Sequence, residues 1–184
     1  RSYYVGQGCE LENFSNIAKD NIPADVKKIP SPRIGYVGAL QTLRLDLDII
    51  EHIAKEKPEW NIVLVGPEDE NFQKSNLHEI SNVYFLGSKS PETLPAYINS
   101  FDVCSNPQRV NEVTIGNYHR KIDEYLALGK PVVATKTEAM EVFSEHVYLG
   151  NTKEDYMLLI EKALREHSVE LGAARKKFAA THTW

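Results

Sequence analysis

From Arg33 onward the chain alternates between short β-rich runs and stretches whose apolar residues recur near every 3.6 positions. The predicted strands are Arg33–Val37, Ile62–Val65, Val83–Leu86, Asp102–Ser105, Pro131–Thr135 and Val147–Leu149. Between the first two, Leu45, Ile49, Ile50 and Ile53 make a helical stripe that stops before Pro58. Pro91 fits the first turn of a short helix carrying Leu94, Tyr97 and Ile98, with Pro95 as a source of distortion. A helix over about 118–128 is closed by Gly129 and Pro131. Tyr156, Leu159, Ile160, Ala163 and Leu164 then repeat at the spacing of a core-facing helix. Such alternation predicts an α/β fold with a doubly wound, open parallel sheet, in which ligands sit beyond the carboxyl ends of the strands. The loops at 38–44, 66–70, 87–90 and 106–117 are therefore where chemistry is expected. Residues 1–32 are poorly periodic and rich in Gly and Pro, so 1–32 reads as a lead-in and 33–184 as the domain.

Composition narrows the function. A chain of 184 residues with 42% hydrophobic content supplies one domain with a real core. Its 26 acidic and 21 basic residues leave a net charge of -5, without the cationic excess that drives nucleic-acid binding. Cys9 and Cys104 lie far apart and in no metal-binding cluster, which fits free thiols in a reducing, cytoplasmic compartment. Apolar runs such as Ile62–Val65 and Val132–Ala134 fall far below the roughly 20 residues that cross a bilayer. The chain starts at Arg1 without Met or leader and ends at Trp184 inside a helical pattern with no stop signal, so a piece of a longer protein is expected.

The 106–117 loop is the first candidate site, because about a dozen unstructured residues in a compact domain are more often functional than incidental. A mobile surface loop is the alternative. Asn117 suits a helix N-cap, which places His119, Arg120 and Lys121 in a first turn where the helix dipole disfavours cations. A bound anion, such as a nucleotide phosphate, removes that conflict. Lys121 and Glu124 share a face while Ile122, Tyr125 and Leu126 turn to the sheet, so Lys121 is placed to hold a phosphate and Glu124 to accept from a ribose diol. The competing account is a solvated ion pair worth about 0.2–0.5 kcal/mol. Gly35-Tyr-Val-Gly38 is a strand ending in a glycine turn, with Arg44 as the nearest cation, and lacks the third glycine of a dinucleotide fingerprint. Asp46-Leu47-Asp48 sits in a helical pattern where residues two apart diverge, so no metal site is expected. Asn13-Phe14-Ser15 matches a glycosylation sequon and is taken as chance, and none of the six His pairs at metal-binding spacing.

Lys121-Ile-Asp-Glu124-Tyr-Leu-Ala-Leu-Gly129-Lys-Pro131-Val-Val-Ala134-Thr resembles the most recognisable segment of the donor domain of retaining, group 1 GT-B glycosyltransferases, written E-A-M-A-x-G-x-P-V-V-A. Ile34-Gly-Tyr-Val-Gly38, Ile62-Val-Leu-Val-Gly-Pro67, Val83-Tyr-Phe-Leu-Gly87 and Phe101-Asp-Val-Cys-Ser-Asn-Pro107 follow in the family's order. Gly8-Cys-Glu-Leu-Glu-Asn-Phe14 resembles its lead-in. The resemblance implies the C-terminal, Rossmann-like, nucleotide-sugar-binding half of a two-domain enzyme. Its activity would be transfer of a sugar from a nucleotide-diphosphate donor to a sugar or lipid-linked acceptor held by the N-terminal half. Retention, no metal or other cofactor, and room for peripheral membrane association at the inner face of the membrane are further implications.

By the same resemblance Glu124 is the second Glu of the E-x7-E motif and binds the ribose. The first Glu is replaced by Gly116, leaving Glu112 of the longer loop as the candidate for the sugar-hydroxyl contact. The family's Arg after the first glycine turn is Ala39, so Arg44 supplies the cation together with Lys121, both as candidate catalytic groups on the departing diphosphate. Gly38 contributes to the phosphate turn, and Gly87, Ser88 and Lys89 line the base. These departures resemble a subgroup linked to bacterial surface-polysaccharide and glycolipid synthesis. The alternatives are a nucleotide-sugar 2-epimerase on the same architecture and a non-catalytic flavodoxin-like binding domain.

Overall fold

The computed structural model describes residues 21–112, 114 and 120–181. Six parallel strands form one sheet: β1 (Arg33–Val37), β2 (Asn61–Val65), β3 (Val83–Gly87), β4 (Val103–Asn106), β5 (Val132–Thr135) and β6 (Tyr148–Gly150). Their spatial order is β3-β2-β1-β4-β5-β6. The chain builds outward from β1 to β3, then returns to start again at β4. That reversal opens the crevice between β1 and β4 in which doubly wound folds bind ligands.

Among the described residues seven α-helices flank it: α1 (Ala24–Lys27), α2 (Leu47–Glu56), α3 (Glu70–Gln73), α4 (Leu94–Asn99), α5 (Arg120–Ala127), α6 (Lys153–Glu166) and α7 (Val169–Thr181). One core cluster joins Val37, Val63, Ile98, Phe101, Ile122, Tyr125 and Val132. The other, on the opposite face, joins Ile34, Tyr36, Ile50, Ile53, Leu64, Val133, Tyr156 and Ile160. Both faces of every central strand are covered, and so β2, β4 and β5 are buried throughout.

Local signals set the boundaries. Asp46 is not inside a helix, contrary to the helical pattern read for Asp46-Leu47-Asp48: it is the N-cap of α2, and its Oδ1 accepts from the N–H groups of Asp48 and Ile49. Leu45 likewise precedes the helix and is buried in an antiparallel bridge to Gln108. Pro91 opens a 3₁₀ turn, Pro91–Thr93, and Pro95 falls in the first turn of α4, where its missing N–H costs no bond, so it does not distort that helix. α5 gives way to Gly129 at φ +72, as the stop signal requires. α6 carries a full capping box of Thr152 and Asp155. The described part of the lead-in, 21–32, is packed onto the domain, since Val26 and Ile29 are 0% and 2% exposed in the core. Cys104 is a buried free thiol. Cys9, the sequon at 13–15, the glycosyltransferase-like stretch at 8–14 and the chain end at 182–184 lie outside the described residues. Among the described residues no helix is long and apolar enough to cross a membrane.

Candidate functional site

The crevice floor is a crossing of two side chains over a glycine. Lys121, in the first turn of α5, donates from Nζ to Tyr36 Oη at 2.6 Å, and its ammonium lies 4.2 Å from the centre of the Tyr36 ring. Tyr36 belongs to β1 and is 4% exposed. Directly above it Gly38 ends the strand at φ +147, where a Cβ would stand 2.6 Å from Lys121 Nζ and 2.9 Å from Tyr36 Oη. The absence of that Cβ is what lets an ammonium from one face reach a tyrosine packed on the other. Tyr125, one turn after Lys121 and fully buried, accepts the Val37 N–H at 3.1 Å. α5 is thus tied to β1 at two points, which holds Lys121 at the switch point.

Glu124 lies on the same helix with its side chain 21% exposed, 3.7 Å from Arg120 Nε. The Lys121–Glu124 ion pair that was the competing account does not form, and Glu124 pairs with Arg120 instead. Burial raises the Glu124 carboxyl above its ordinary range, and Arg120 and Lys121 pull it partly back. Asp123, not singled out by its sequence, is wholly buried in the first turn, where the helix dipole favours an anion. Asn117, Gly116 and His119, to which the N-cap, the missing first Glu and a helix-start histidine were assigned, lie outside the described residues.

Three loops at this edge are stitched together. Leu40 N–H donates to Pro67 O at 2.7 Å, and Asp69 N–H donates back to Leu40 O at 3.0 Å. Asp69 Oδ2 accepts from the Thr42 N–H and hydroxyl at 2.8 and 3.1 Å. Across the crevice Asp46 N–H donates to Pro107 O at 2.8 Å and Arg109 N–H to Arg44 O at 2.7 Å. Asn111 Nδ2 donates to Leu43 O at 2.8 Å. The base of the second loop is anchored inside the domain: Gln108 N–H donates to Thr135 Oγ1 at 2.9 Å, and Tyr156 Oη, 2.5 Å from Thr135 Oγ1, donates to Asn106 O at 3.0 Å. Its described residues, 106–112 and Thr114, are an anchored turn.

Not every expected residue joins Lys121. Arg44 is exposed at the far end of the glycine loop, beside Arg109, with no ion pair among the described residues. Glu112 is exposed in the turn and forms no ion pair there either. Gly87, the last residue of β3, and Ser88 after it are exposed. Lys89 turns its ammonium back to Asp25 Oδ2 at 2.9 Å and over the Tyr97 ring at 5.5 Å, so its charge is spent within the domain. The described residues hold no group of three or more His, Cys, Asp or Glu suited to a metal ion, and Asp46 spends its carboxylate on the α2 cap. Tyr36 and Arg109 went unassigned in the sequence. Nothing in periodicity marks a strand tyrosine as a lysine's partner, and only the bridge between Leu45 and Gln108 brings Arg109 to Arg44.

Comparison with known proteins agrees with this architecture. The family model for glycosyl transferases group 1 matches residues 31–166. TuaH of Bacillus subtilis (strain 168), assigned by name as a teichuronic acid biosynthesis glycosyltransferase, is 30% identical over 193 residues, covering 98% of this chain and 47% of TuaH. The Anabaena HepE structure in complex with UDP superposes with a TM-score of 0.75 at 19% identity, covering 93% of this chain and 50% of HepE. Sucrose-phosphate synthase from Thermosynechococcus elongatus gives 0.70 at 18%, covering 91% and 47%. The chain spans about half the length of the relatives it matches. The fold is that of the C-terminal, Rossmann-like half of a GT-B protein, and the chain belongs to the group 1 glycosyl transferases.

Proposed function

We propose that this domain binds a nucleoside-diphosphate sugar and that the protein containing it transfers the sugar to an acceptor. The observation that carries the reading is the Lys121 ammonium held over the Gly38 turn at the β1/β4 switch point. There the ammonium and the exposed backbone of the turn face the place where a diphosphate would lie. As the bond from the sugar's anomeric carbon to the diphosphate breaks, negative charge grows on the leaving oxygen, and a fixed cation lowers the barrier. Glu124, on the same helix, is placed to accept from the ribose hydroxyls.

Family membership supports sugar transfer, and TuaH's assignment supports surface-polysaccharide synthesis as the setting. HepE, crystallised with UDP and with UDP-glucose, supports a nucleotide-sugar donor. The acceptor would be a sugar or lipid-linked glycan bound largely outside this domain, with retention at the anomeric carbon and reaction in the cytoplasm, at the inner face of the membrane where the acceptor is a lipid. The charge is handled by Lys121, Arg44 and backbone rather than by a metal. The test is calorimetry of the full-length protein with UDP and GDP, alone and as Glu124→Ala. One nucleotide should bind, and Glu124→Ala should weaken it about 10- to 100-fold, the value of a charge-assisted pair of hydrogen bonds. Silence toward both nucleotides, or an unchanged affinity in the variant, sinks the reading.

A further inference from the structure

Leu45 and Gln108 form an isolated antiparallel bridge that joins the first glycine loop to the loop after β4. Its flanking bonds, Arg109 N–H to Arg44 O at 2.7 Å and Asp46 N–H to Pro107 O at 2.8 Å, set the register on either side. In that register Arg44 stands opposite Arg109, and directly opposed residues of an antiparallel pair have Cβ atoms about 4.5–5.5 Å apart. Both arginines are exposed, and neither makes an ion pair among the described residues. The nearest acid along the first loop, Asp46, is committed to capping α2. Like charges placed opposite one another destabilise a strand pair. Here they occur in a chain whose net charge is -5, where acids outnumber bases and a partner would be easy to supply.

The backbone beneath them is held firmly. Arg109 N–H is bonded to Arg44 O, and Arg109 O accepts from the Thr114 hydroxyl. Thr114 is 2% exposed and exchanges bonds with Asn111, N–H to Oδ1 and N–H to Oγ1, both at 3.1 Å. Asn111 Nδ2 in turn holds Leu43 O. A surface turn built only to connect β4 to α5 needs no such fastening. Two arginines opposed in register on a braced backbone at the ligand edge of the sheet can present a forked donor array that matches phosphate and carboxylate oxygens.

We infer that Arg44 and Arg109 together form a two-guanidinium site for an oxyanion of the donor, with Arg109 as a binding residue that the family comparison does not assign. The inference rests on the proposed nucleotide-sugar reading. Two groups on such a donor share the required chemistry, the diphosphate and a carboxylate on the transferred sugar.

Calorimetry on the full-length protein with UDP, UDP-glucose and UDP-glucuronate tests it, using Arg44→Gln, Arg109→Gln and the double variant. Each single variant should lose about 10-fold or more in affinity, and the double should lose less than the product because both residues hold one anion. A loss already present with UDP identifies the diphosphate as the oxyanion. A loss confined to UDP-glucuronate identifies the sugar carboxylate. Arg109→Lys, which keeps the charge but not the fork, should recover only part of the affinity. Melting temperatures should be unchanged or slightly raised, since each variant relieves a like-charge opposition, and loss of binding that tracks a fall in melting temperature would overturn the inference. Unchanged affinity for all three probes while Glu124→Ala weakens UDP overturns it and leaves the proposed function standing. A wild-type protein silent to all three probes and to GDP overturns both.

Discussion

Lys121 Nζ and Tyr36 Oη meet at 2.6 Å across the carboxyl edge of the sheet, joining a side chain of α5 to one of β1 that packs on the opposite face. The contact makes the ammonium's position a property of the fold rather than of a freely rotating lysine. Replacing it should therefore cost ligand binding and little stability. Lys121→Met is expected to lower UDP affinity about 10- to 100-fold, while the lost cation–π contact shifts unfolding free energy by no more than about 1 kcal/mol. Calorimetry and urea denaturation of one preparation measure both.

Gly38 and Gly66 should respond differently to alanine. At Gly38 (φ +147) the new Cβ meets two side-chain tips, Lys121 Nζ at 2.6 Å and Tyr36 Oη at 2.9 Å, whereas at Gly66 (φ +149) it meets Gly38 O at 1.8 Å. Side-chain tips can shift by the few tenths of an ångström needed, but backbone cannot. Gly38→Ala should fold with a modest loss of stability and displace Lys121, raising the donor KM. Gly66→Ala should lower the melting temperature by considerably more. Equal melting temperatures for the two variants would contradict this.

Glu124 should couple binding and stability to pH in opposite directions. Its carboxyl is raised by burial, with Arg120 and Lys121 opposing. Between its ordinary pKa and the raised folded value the folded state binds more protons than the unfolded state, so this group's contribution to stability falls as pH rises through that window. Glu124→Gln should flatten the fall and raise the melting temperature at neutral pH. Ribose recognition needs the ionised acceptor, so UDP should bind more tightly as pH rises through the same window in the wild type. That increment should vanish in Glu124→Gln.

Tyr156→Phe should destabilise through one oxygen. Tyr156 Oη, fully buried, joins Thr135 Oγ1 and Asn106 O, which anchor the loop carrying Arg109. Removing it leaves buried polar groups short of a partner, at a cost of about 1–3 kcal/mol. The urea midpoint should fall with an unchanged m-value, and a midpoint equal to wild type would show that the oxygen bears no such load.

Cys104 should be chemically silent in the folded protein. It is 0% exposed, and burial pushes its thiol up to about 12, with Lys130 and Arg175 only partly offsetting. Iodoacetamide at pH 8 should leave the Cys104 peptide unmodified until denaturant is added, as read by mass spectrometry.

The order of strands and helices was legible in the sequence because apolar spacing is a local property imposed by burial on a pleated strand or a helix. β1 begins and ends where its pattern does, and Gly129 and Pro131 mark the end of α5 as expected. Family signatures likewise placed Gly38, Lys121 and Glu124 toward the carboxyl edge of the sheet, since that edge follows from strand direction alone. The partners of those residues were decided only in three dimensions. Lys121 chose Tyr36, 85 positions away, over Glu124 on its own helix, because the missing Cβ at Gly38 opened a path across the sheet. Arg44 met Arg109 through a bridge between two irregular loops, which carry no periodicity to read. Spacing along the chain determines which face a residue occupies, whereas the choice between competing partners depends on packing from segments that spacing does not relate.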